Sequence, residues 1–156
     1  MSITDLVKLS LAELTDAYAK RRVSPVEVMS VTLAHAGKVN GAINALFSFH
    51  AEEALAEAQA SEARWRRGTP KGLLDGVPVT IKDSVARVGW PSAHGLKANA
   101  DLAPSDYDSP PALALLESGA PIFAKTTMPD CGLMASGLSS LYGVTRNPWG
   151  LAWNTG

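Results

Sequence analysis

The chain has 156 residues, of which 46% are apolar, and this is enough for one hydrophobic core. Its 14 basic and 15 acidic side chains give a formal net charge of −1, so no excess of positive charge indicates a nucleic-acid or anionic-membrane partner. No apolar stretch approaches the roughly 20 residues that span a bilayer, and the acidic start MSITDLVKLS does not resemble a secretory signal. We therefore expect a cytoplasmic protein that acts on a small molecule.

Cysteine and histidine usage gives no sign of a structural metal. Cys131 is the single cysteine of the sequence, so it has no partner for an internal disulfide. His35, His50 and His94 share no metal-ligand spacing with Cys131 or with each other. A structural metal site is therefore not expected.

The first part of the chain carries repeated signals for helices. Ser10 with Glu13 and Ser24 with Glu27 fit the capping box, and Pro25 takes the favoured first position of a helix. Apolar residues then recur at helical spacing after each signal. This pattern predicts two short helices that pack against other elements.

A strand and a third helix are predicted before residue 70. The Asn40-Gly41 pair is a turn signal, and the segment INALFSF after it predicts a short strand. The alanine-rich stretch AEEALAEAQASEARWRRG predicts a helix with a solvated charged face that ends at Gly68. Residues 1–70 are therefore interpreted as an N-terminal helical region.

From residue 71 the pattern alternates between strands and helices. VPVTI predicts the first strand of this part, and PIFAK predicts a later one. Between them, a helix is predicted with Pro110 and Pro111 in its first turn and Gly119 at its end. The remainder is rich in Gly, Ser and Thr and predicts mainly loop. We expect an α/β fold in which residues 71–156 are the first part of the α/β core.

Two lysines, Lys82 and Lys125, each stand at the end of an apolar strand. Alternation leaves Val77, Val79 and Ile81 on one face and Lys82 on the other, so Lys82 need not enter the core. Its stem could simply lie along the strand end with the charged head in water. A buried lysine, by contrast, loses its proton more easily and could act as a base for a serine. The local pattern does not decide between these interpretations for either lysine.

Three separate segments of the chain resemble one known family. GLLDGVPVTIKDSVARVGWPSAHG, then GAPIFAKTTMPD and then SLYGVTRNPW resemble, in order and spacing, the first half of the amidase signature family. The resemblance covers residues 70–156 and implies a mixed sheet covered by helices, of which only the N-terminal portion is present. It also implies hydrolysis of a carboxamide, at a C–N bond other than a peptide bond, to an acid and ammonia or an amine. No metal or organic cofactor is implied.

The resemblance also assigns roles to individual residues. In the family, the lysine of the Ile-Lys-Asp motif is the base of a triad of a serine, a cis-serine and the lysine, so Lys82 is expected to be the catalytic base. Lys125 matches a lysine that the family does not use as a base, and we expect it to be structural. The stretch GLMAS aligns with the acyl side of the family's substrate pocket, with loop packing as the alternative for each residue. These candidate substrate-binding residues are Gly132, Leu133, Met134, Ala135 and Ser136.

The two triad serines have no counterpart among the motifs found. Ser139 and Ser140 lie in GLSSLYG, which lacks the closing glycine of a nucleophile elbow, so they are interpreted as turn hydroxyls. In the family both serines follow the NPW motif, and the sequence ends at Gly156 before that segment begins. We therefore expect the N-terminal part of a stand-alone amidase, inactive as a 156-residue chain alone. Its expected partners are an amide substrate and the remainder of the amidase polypeptide, a homodimer is compatible with the sequence, and no nucleic acid or membrane is expected.

Two alternatives stay open. The first is an A-type subunit of glutamyl-tRNA amidotransferase, a subgroup that usually carries an acidic pair and a phenylalanine where this chain has Pro129-Asp130-Cys131. This departure favours the stand-alone amidase. The second is a non-catalytic fragment that acts as a binding module.

Overall fold

The structure is a computed structural model that describes residues 6–156. These residues form two compact units. The first comprises the described residues up to Ala36 together with His50–Val79 and Leu113–Phe123, and the second comprises Gly37–Phe49, Thr80–Ala112 and Ala124–Gly156. The helices in the described residues are α1 (Leu11–Ala19), α2 (Pro25–Ile43), α3 (Ala51–Arg67) and α4 (Pro110–Ser118). The principal strands are β1 (Leu46–Phe47), β2 (Val79–Lys82) and β3 (Ile122–Thr126).

Strand β3 lies between β1 and β2 in a small mixed sheet. β1 runs antiparallel to β3, with Leu46 opposite Thr126 and Phe47 opposite Lys125. Hydrogen bonds from Val79 N to Pro121 O and from Asp83 N to Thr126 O advance in the same direction along β2 and β3. β2 and β3 are therefore parallel, and the predicted α/β class is confirmed.

The Gly/Ser/Thr-rich C-terminal segment contains more regular structure than the sequence predicts. It forms two short antiparallel pairs in addition to loops. The first pairs β4 (Leu138–Ser139) with β5 (Gly143–Val144), and the second pairs β6 (Arg146–Asn147) with β7 (Gly150–Asn154).

The first unit is built on the predicted helix signals. Ser10 and Glu13 form a complete capping box at the start of α1, and α2 begins at Pro25, as predicted. Glu27 completes the second box, because its carboxylate accepts the N–H of Ser24 at 2.7 Å and its own N–H donates to the Ser24 hydroxyl. The helices bury a cluster of Leu14, Ala17, Tyr18, Val23 and Val28, against which Trp65 and Val77 pack. None of the helices in the described part of the chain is long and apolar enough to cross a membrane.

A buried ion pair closes the turn before β2 within the first unit. The guanidinium of Arg64 donates to both carboxylate oxygens of Asp75, at 2.8 and 2.5 Å. Burial alone would raise the pKa of Asp75, but the hydrogen bonds from Arg64 and from the Lys71 N–H outweigh it and hold that pKa below its usual range. Removing either partner would leave an uncompensated buried charge, so the pair fixes this turn.

The predicted turn at Asn40-Gly41 is wrong, because α2 continues to Ile43. The side chain of Asn40 explains the difference: its Oδ1 accepts the N–H groups of Ala45 and Leu46, and its Nδ2 donates to Leu46 O. These bonds satisfy the backbone N–H and C=O groups that follow the helix. The chain therefore changes direction at Asn44, whose φ is 52°, and not at Asn40-Gly41. Only Leu46–Phe47 of the predicted INALFSF strand then remains to pair with β3. The predicted division of the chain at residue 70 stays a prediction.

Candidate active site

Lys82 and Lys125, which the local strand pattern does not distinguish, differ completely in burial. Lys82 ends β2 and is exposed, whereas Ile81 beside it is 4% exposed and faces the core. Within residues 6–156 no group forms a hydrogen bond or ion pair with the Lys82 ammonium. The backbone carbonyl of Lys82 accepts the N–H of Val85 at 2.9 Å, which turns the chain just after the strand. The Lys82 amine is thus uncommitted in the described part of the molecule.

Lys125, in β3, is completely buried. Its ammonium donates three hydrogen bonds, to Asp83 O at 2.9 Å, Pro91 O at 2.6 Å and Ser92 Oγ at 2.8 Å. Burial lowers the pKa of Lys125 to about 8, against the opposing influence of the Asp83 charge. The three donors of the ammonium are all used, so Lys125 holds the chain around residues 83 and 91–92. Of the two lysines, Lys125 is therefore the one removed from solvent, whereas Lys82 is exposed within the described residues.

Asp83, the residue after Lys82, is also completely buried. Its backbone N–H donates to Thr126 O at 3.0 Å, and its carbonyl accepts from Lys125. Burial and the Asp83 carboxylate raise the pKa of the Tyr142 phenol. The carboxylate of Asp83 accepts three hydrogen bonds, from Ala93 N at 3.0 Å, Gly95 N at 2.6 Å and the Tyr142 hydroxyl at 3.0 Å.

Residues 93–95 join Asp83 to the loop that precedes the candidate substrate-binding residues. The carbonyl of His94 accepts the N–H of Cys131 at 2.8 Å. The carbonyl of Gly95 accepts the Ser139 hydroxyl at 2.6 Å and the N–H of Leu141 at 3.3 Å. Gly95 has a φ of 70°, and a Cβ there would lie 2.4 Å from the carbonyl oxygen of Met128. This close approach requires a glycine.

The candidate substrate-binding residues form an exposed loop. They begin at the end of the short turn Asp130–Gly132, and Leu133 and Met134 are 85% and 53% exposed. Gly132 and Ala135 are exposed as well, and the hydroxyl of Ser136 accepts the N–H of Leu138 at 3.3 Å. The described residues therefore present this segment as open surface, connected to Asp83 through His94 and Gly95.

The hydroxyls of Ser139 and Ser140 are engaged in turns. Ser139 Oγ accepts the N–H groups of Leu141 and Tyr142 while it donates to Gly95 O. Ser140 Oγ accepts the N–H of Lys97 at 2.9 Å. Neither hydroxyl contacts a base, which agrees with their interpretation as turn residues.

No local sequence pattern indicates a function for Asp83 or Tyr142, whose side chains are joined by a hydrogen bond in the structure. Tyr142 is held in turn by stacking on Phe47, with ring centroids 4.3 Å apart. Its position directly after an apolar strand could have indicated that Asp83 is buried. A buried carboxylate needs several hydrogen-bond donors around it. No local pattern identified those donors, since Tyr142 is 59 residues away.

A groove of about 450 Å³ lies in the first unit. It is lined by side chains of α1, α2 and α3 and the turn before α2, among them Tyr18, Glu27, Trp65 and Arg66. It includes neither Lys82 nor any residue of the 132–136 segment. Volume alone therefore does not identify the candidate site.

The sequence pattern and the fold identify the family. The chain belongs to the Amidase family, whose pattern matches residues 27–156. It is 38% identical over 150 residues to the A-type subunit of glutamyl-tRNA(Gln) amidotransferase from Geobacter sulfurreducens, and this match covers 95% of the chain and 30% of the relative. The fold is that of amidase signature enzymes.

Two solved structures support the fold. A bacterial aryl acylamidase of the amidase signature family superposes with a TM-score of 0.86 at 30% identity, covering 94% of this chain and 30% of that one. An inhibitor-bound complex related to the evolutionary origins of an s-triazine catabolic enzyme superposes with a TM-score of 0.85 at 30% identity, covering 95% of this chain and 32% of that one. The chain thus spans about 30% of the length of the relatives that it matches.

Proposed function

We propose that the full-length protein hydrolyses a carboxamide to an acid and ammonia or an amine, with Lys82 as the catalytic base. Membership of the Amidase family supports the reaction class. The choice of Lys82 rests on its place in the Ile81-Lys82-Asp83 motif and on its uncommitted amine.

The contrast between the two lysines is the observation that carries this proposal. A general base must offer a lone pair, and its amine must be free to move a proton. Lys125 binds three acceptors with its three donors and would have to give up one of these bonds to act as a base. Lys82 has no such bond within the described residues.

The resemblance suggests how Lys82 acts. A neutral Lys82 accepts the proton of the nucleophilic serine through the cis-serine, and the protonated relay later donates to the leaving nitrogen. The serine oxygen forms the acyl–oxygen bond as the C–N bond breaks, and water then releases the acid. No motif for either serine occurs within the 156 residues, so this proposal concerns the full-length protein.

The loop Gly132–Ser136 is proposed as part of the acyl side of the substrate pocket. Met134 suits an apolar wall that adapts to its ligand, because its side chain is unbranched and polarisable. Leu133 adds a second large apolar side chain, and both are accessible in the described residues. The proposed substrates are therefore amides with an apolar acyl group.

The reaction is tested with purified full-length protein. A panel of primary carboxamides and anilides is incubated with the protein, and release of ammonia or of the aromatic amine is measured. We expect turnover of at least one substrate with an apolar acyl group, together with inactivation by a serine-directed fluorophosphonate. Absence of turnover on the whole panel, with no fluorophosphonate labelling, would contradict the proposal.

An A-type subunit of a glutamyl-tRNA amidotransferase is the second candidate. The 38% identity to one such protein favours it, and the Pro129-Asp130-Cys131 departure from that subgroup speaks against it. The two candidates differ in their dependence on partners. A subunit of an amidotransferase would be active only when its partner subunits are present, whereas a stand-alone amidase would turn over its amide when purified alone.

A further inference from the structure

We propose that Asp83 is a positioning residue that fixes Lys82 relative to the loop Gly132–Ser136. The inference rests on the proposed function, because it assigns Asp83 a part in the geometry of that reaction. Asp83 does not itself touch the reacting atoms in this account. It acts through the backbone on either side of it.

The polar groups of Asp83 all take part in hydrogen bonds. Its N–H donates to Thr126 O at 3.0 Å, and its carbonyl accepts from the Lys125 ammonium at 2.9 Å. Both partners belong to β3, so the end of β2 is fixed against its neighbouring strand. Lys82 is one peptide bond away, and the position of its backbone follows from that of Asp83.

The carboxylate of Asp83 extends this fixation to a second segment. It accepts the N–H groups of Ala93 and Gly95, which are bonded to the two different carboxylate oxygens. The carbonyls of the same segment accept donors from further along the chain: His94 O accepts Cys131 N, and Gly95 O accepts the Ser139 hydroxyl. Residues 93–95 therefore bond to Asp83 through their N–H groups and to the turn at Cys131 through a carbonyl.

The chemistry of these partners requires a carboxylate at residue 83. The side chain meets three donors, and an ionised carboxylate is acceptor-only. An asparagine would direct its NH₂ group toward one of the two backbone N–H groups, which also donate. Asp83→Asn would therefore release either Ala93 or Gly95 while changing the side-chain volume very little.

The expected consequence is a relative displacement of base and pocket. In Asp83→Asn the end of β2 stays bonded to β3, but the segment 93–95 keeps only one of its two backbone hydrogen bonds to the side chain of residue 83, so the segment and the turn at Cys131 are held less firmly. The Lys82 amine and the acyl-binding loop Gly132–Ser136 then no longer hold one substrate in the position that proton transfer requires. A merely structural role would instead reduce the fraction of folded protein and affect all substrates equally.

The test uses the full-length protein and three variants: Asp83→Asn, Tyr142→Phe and the exposed control Lys97→Arg. Tyr142→Phe removes one of the three donors and keeps the stacking on Phe47, so it is the milder change. kcat and KM are measured on one short and one long acyl amide, and backbone hydrogen exchange is measured at residues 93–95 and 131–132.

We expect Asp83→Asn to lower kcat at least tenfold and to change the long-to-short ratio of kcat/KM at least threefold. Exchange at residues 93–95 and 131–132 should rise at least tenfold, while exchange in α1 stays at the parental rate. Tyr142→Phe should shift both readouts in the same direction by about twofold, and Lys97→Arg should shift neither.

Parental exchange at 131–132 together with a parental ratio in folded Asp83→Asn would overturn the inference. If Asp83→Asn does not fold, parental values of both readouts in Tyr142→Phe would overturn it. Exchange does not depend on activity, so failure of the proposed reaction is recognised separately, by absence of turnover in the parent or by a fully active Lys82→Arg.

Discussion

The ammonium of Lys125 donates a hydrogen bond to the backbone carbonyl of Asp83 over 2.9 Å, one residue beyond Lys82. Lys82 at the end of β2 has an uncommitted amine within the described residues, whereas Lys125 in β3 supports the chain beside it. Lys125 fixes the chain next to Lys82, and its positive charge is enclosed by acceptors. We expect the stability of this region to depend on the hydrogen bonds of Lys125, and the proposed chemistry to depend on the uncommitted amine of Lys82.

Lys125→Met tests the supporting role. Methionine keeps the length of the stem but offers no donor, so one buried and two partly buried acceptors lose their bond to Lys125. An unpaired buried polar group costs about 1 to 3 kcal/mol, and the loss is partly offset because an ammonium no longer needs to be desolvated. We expect a net loss of about 2 kcal/mol in the free energy of unfolding, measured by urea denaturation of the full-length protein. Lys38→Met, at an exposed position of α2, is the control and should stay within about 0.5 kcal/mol of the parent. Equal stability of the two variants would contradict the supporting role.

The pH dependence of stability provides an independent test of Lys125. Burial lowers its pKa to about 8 in the folded protein, against 10.5 as the ordinary value. Between these values the unfolded chain binds more protons than the folded one, so Lys125 makes stability rise with pH in that window. Below about pH 8 both states are protonated and the cost of the buried charge is present in full.

The measurement is the melting temperature of the parent and of Lys125→Met from about pH 7 to about pH 10. The parent should gain stability relative to the variant as the pH rises through this range. The range ends at pH 10 because the raised pKa of Tyr142 acts in the opposite direction above it. Parallel curves would show that Lys125 does not titrate with a lowered pKa.

The local strand pattern did not separate the two lysines, and only the family resemblance assigned Lys82 as the base and Lys125 as structural. Side-chain alternation correctly predicted that Lys82 lies outside the core. This prediction was possible because alternation is a local property of a strand. The burial of Lys125 depends on Pro91 and Ser92, which are 34 and 33 residues away in the chain. Partners at such distances are determined by tertiary packing, and no periodicity within β3 encodes them.

The wrongly predicted turn at Asn40-Gly41 shows that contacts of a few residues can also override a local signal. Asn-Gly is a strong turn signal because both residues tolerate positive φ. Here the Asn40 side chain instead bonds to the backbone of residues 45 and 46, and this allows the helix to continue to Ile43. Capping boxes and the glycine at the end of α3 were predicted correctly, since each depends on a few adjacent residues.

Gly95→Ala tests the junction between Asp83 and the Cys131 turn. An alanine Cβ at residue 95 would lie 2.4 Å from Met128 O, and the positive φ of 70° adds strain. Gly143 has a comparable φ of 81° but no atom within 4 Å of its Cβ position, so Gly143→Ala is the matched control. We expect the control to lose about 1 to 2 kcal/mol of stability. Gly95→Ala should lose about 2 kcal/mol more, because a backbone carbonyl must shift. Equal losses by urea denaturation would contradict the close approach at Gly95.

The most direct test of the account is kcat of Lys82→Arg in the full-length protein, measured on the best carboxamide of the panel. Arginine keeps the charge and most of the length but cannot give up its proton at any usable pH, so it cannot act as a base. The control is Lys97→Arg, an exposed lysine of the same unit, because a guanidinium would not fit among the three acceptors of Lys125. We predict that Lys82→Arg melts near the parent and loses about 10² to 10⁴-fold in kcat, while Lys97→Arg keeps the parental kcat. A folded Lys82→Arg that stays within about tenfold of the parental kcat would contradict the assignment of Lys82 as the base.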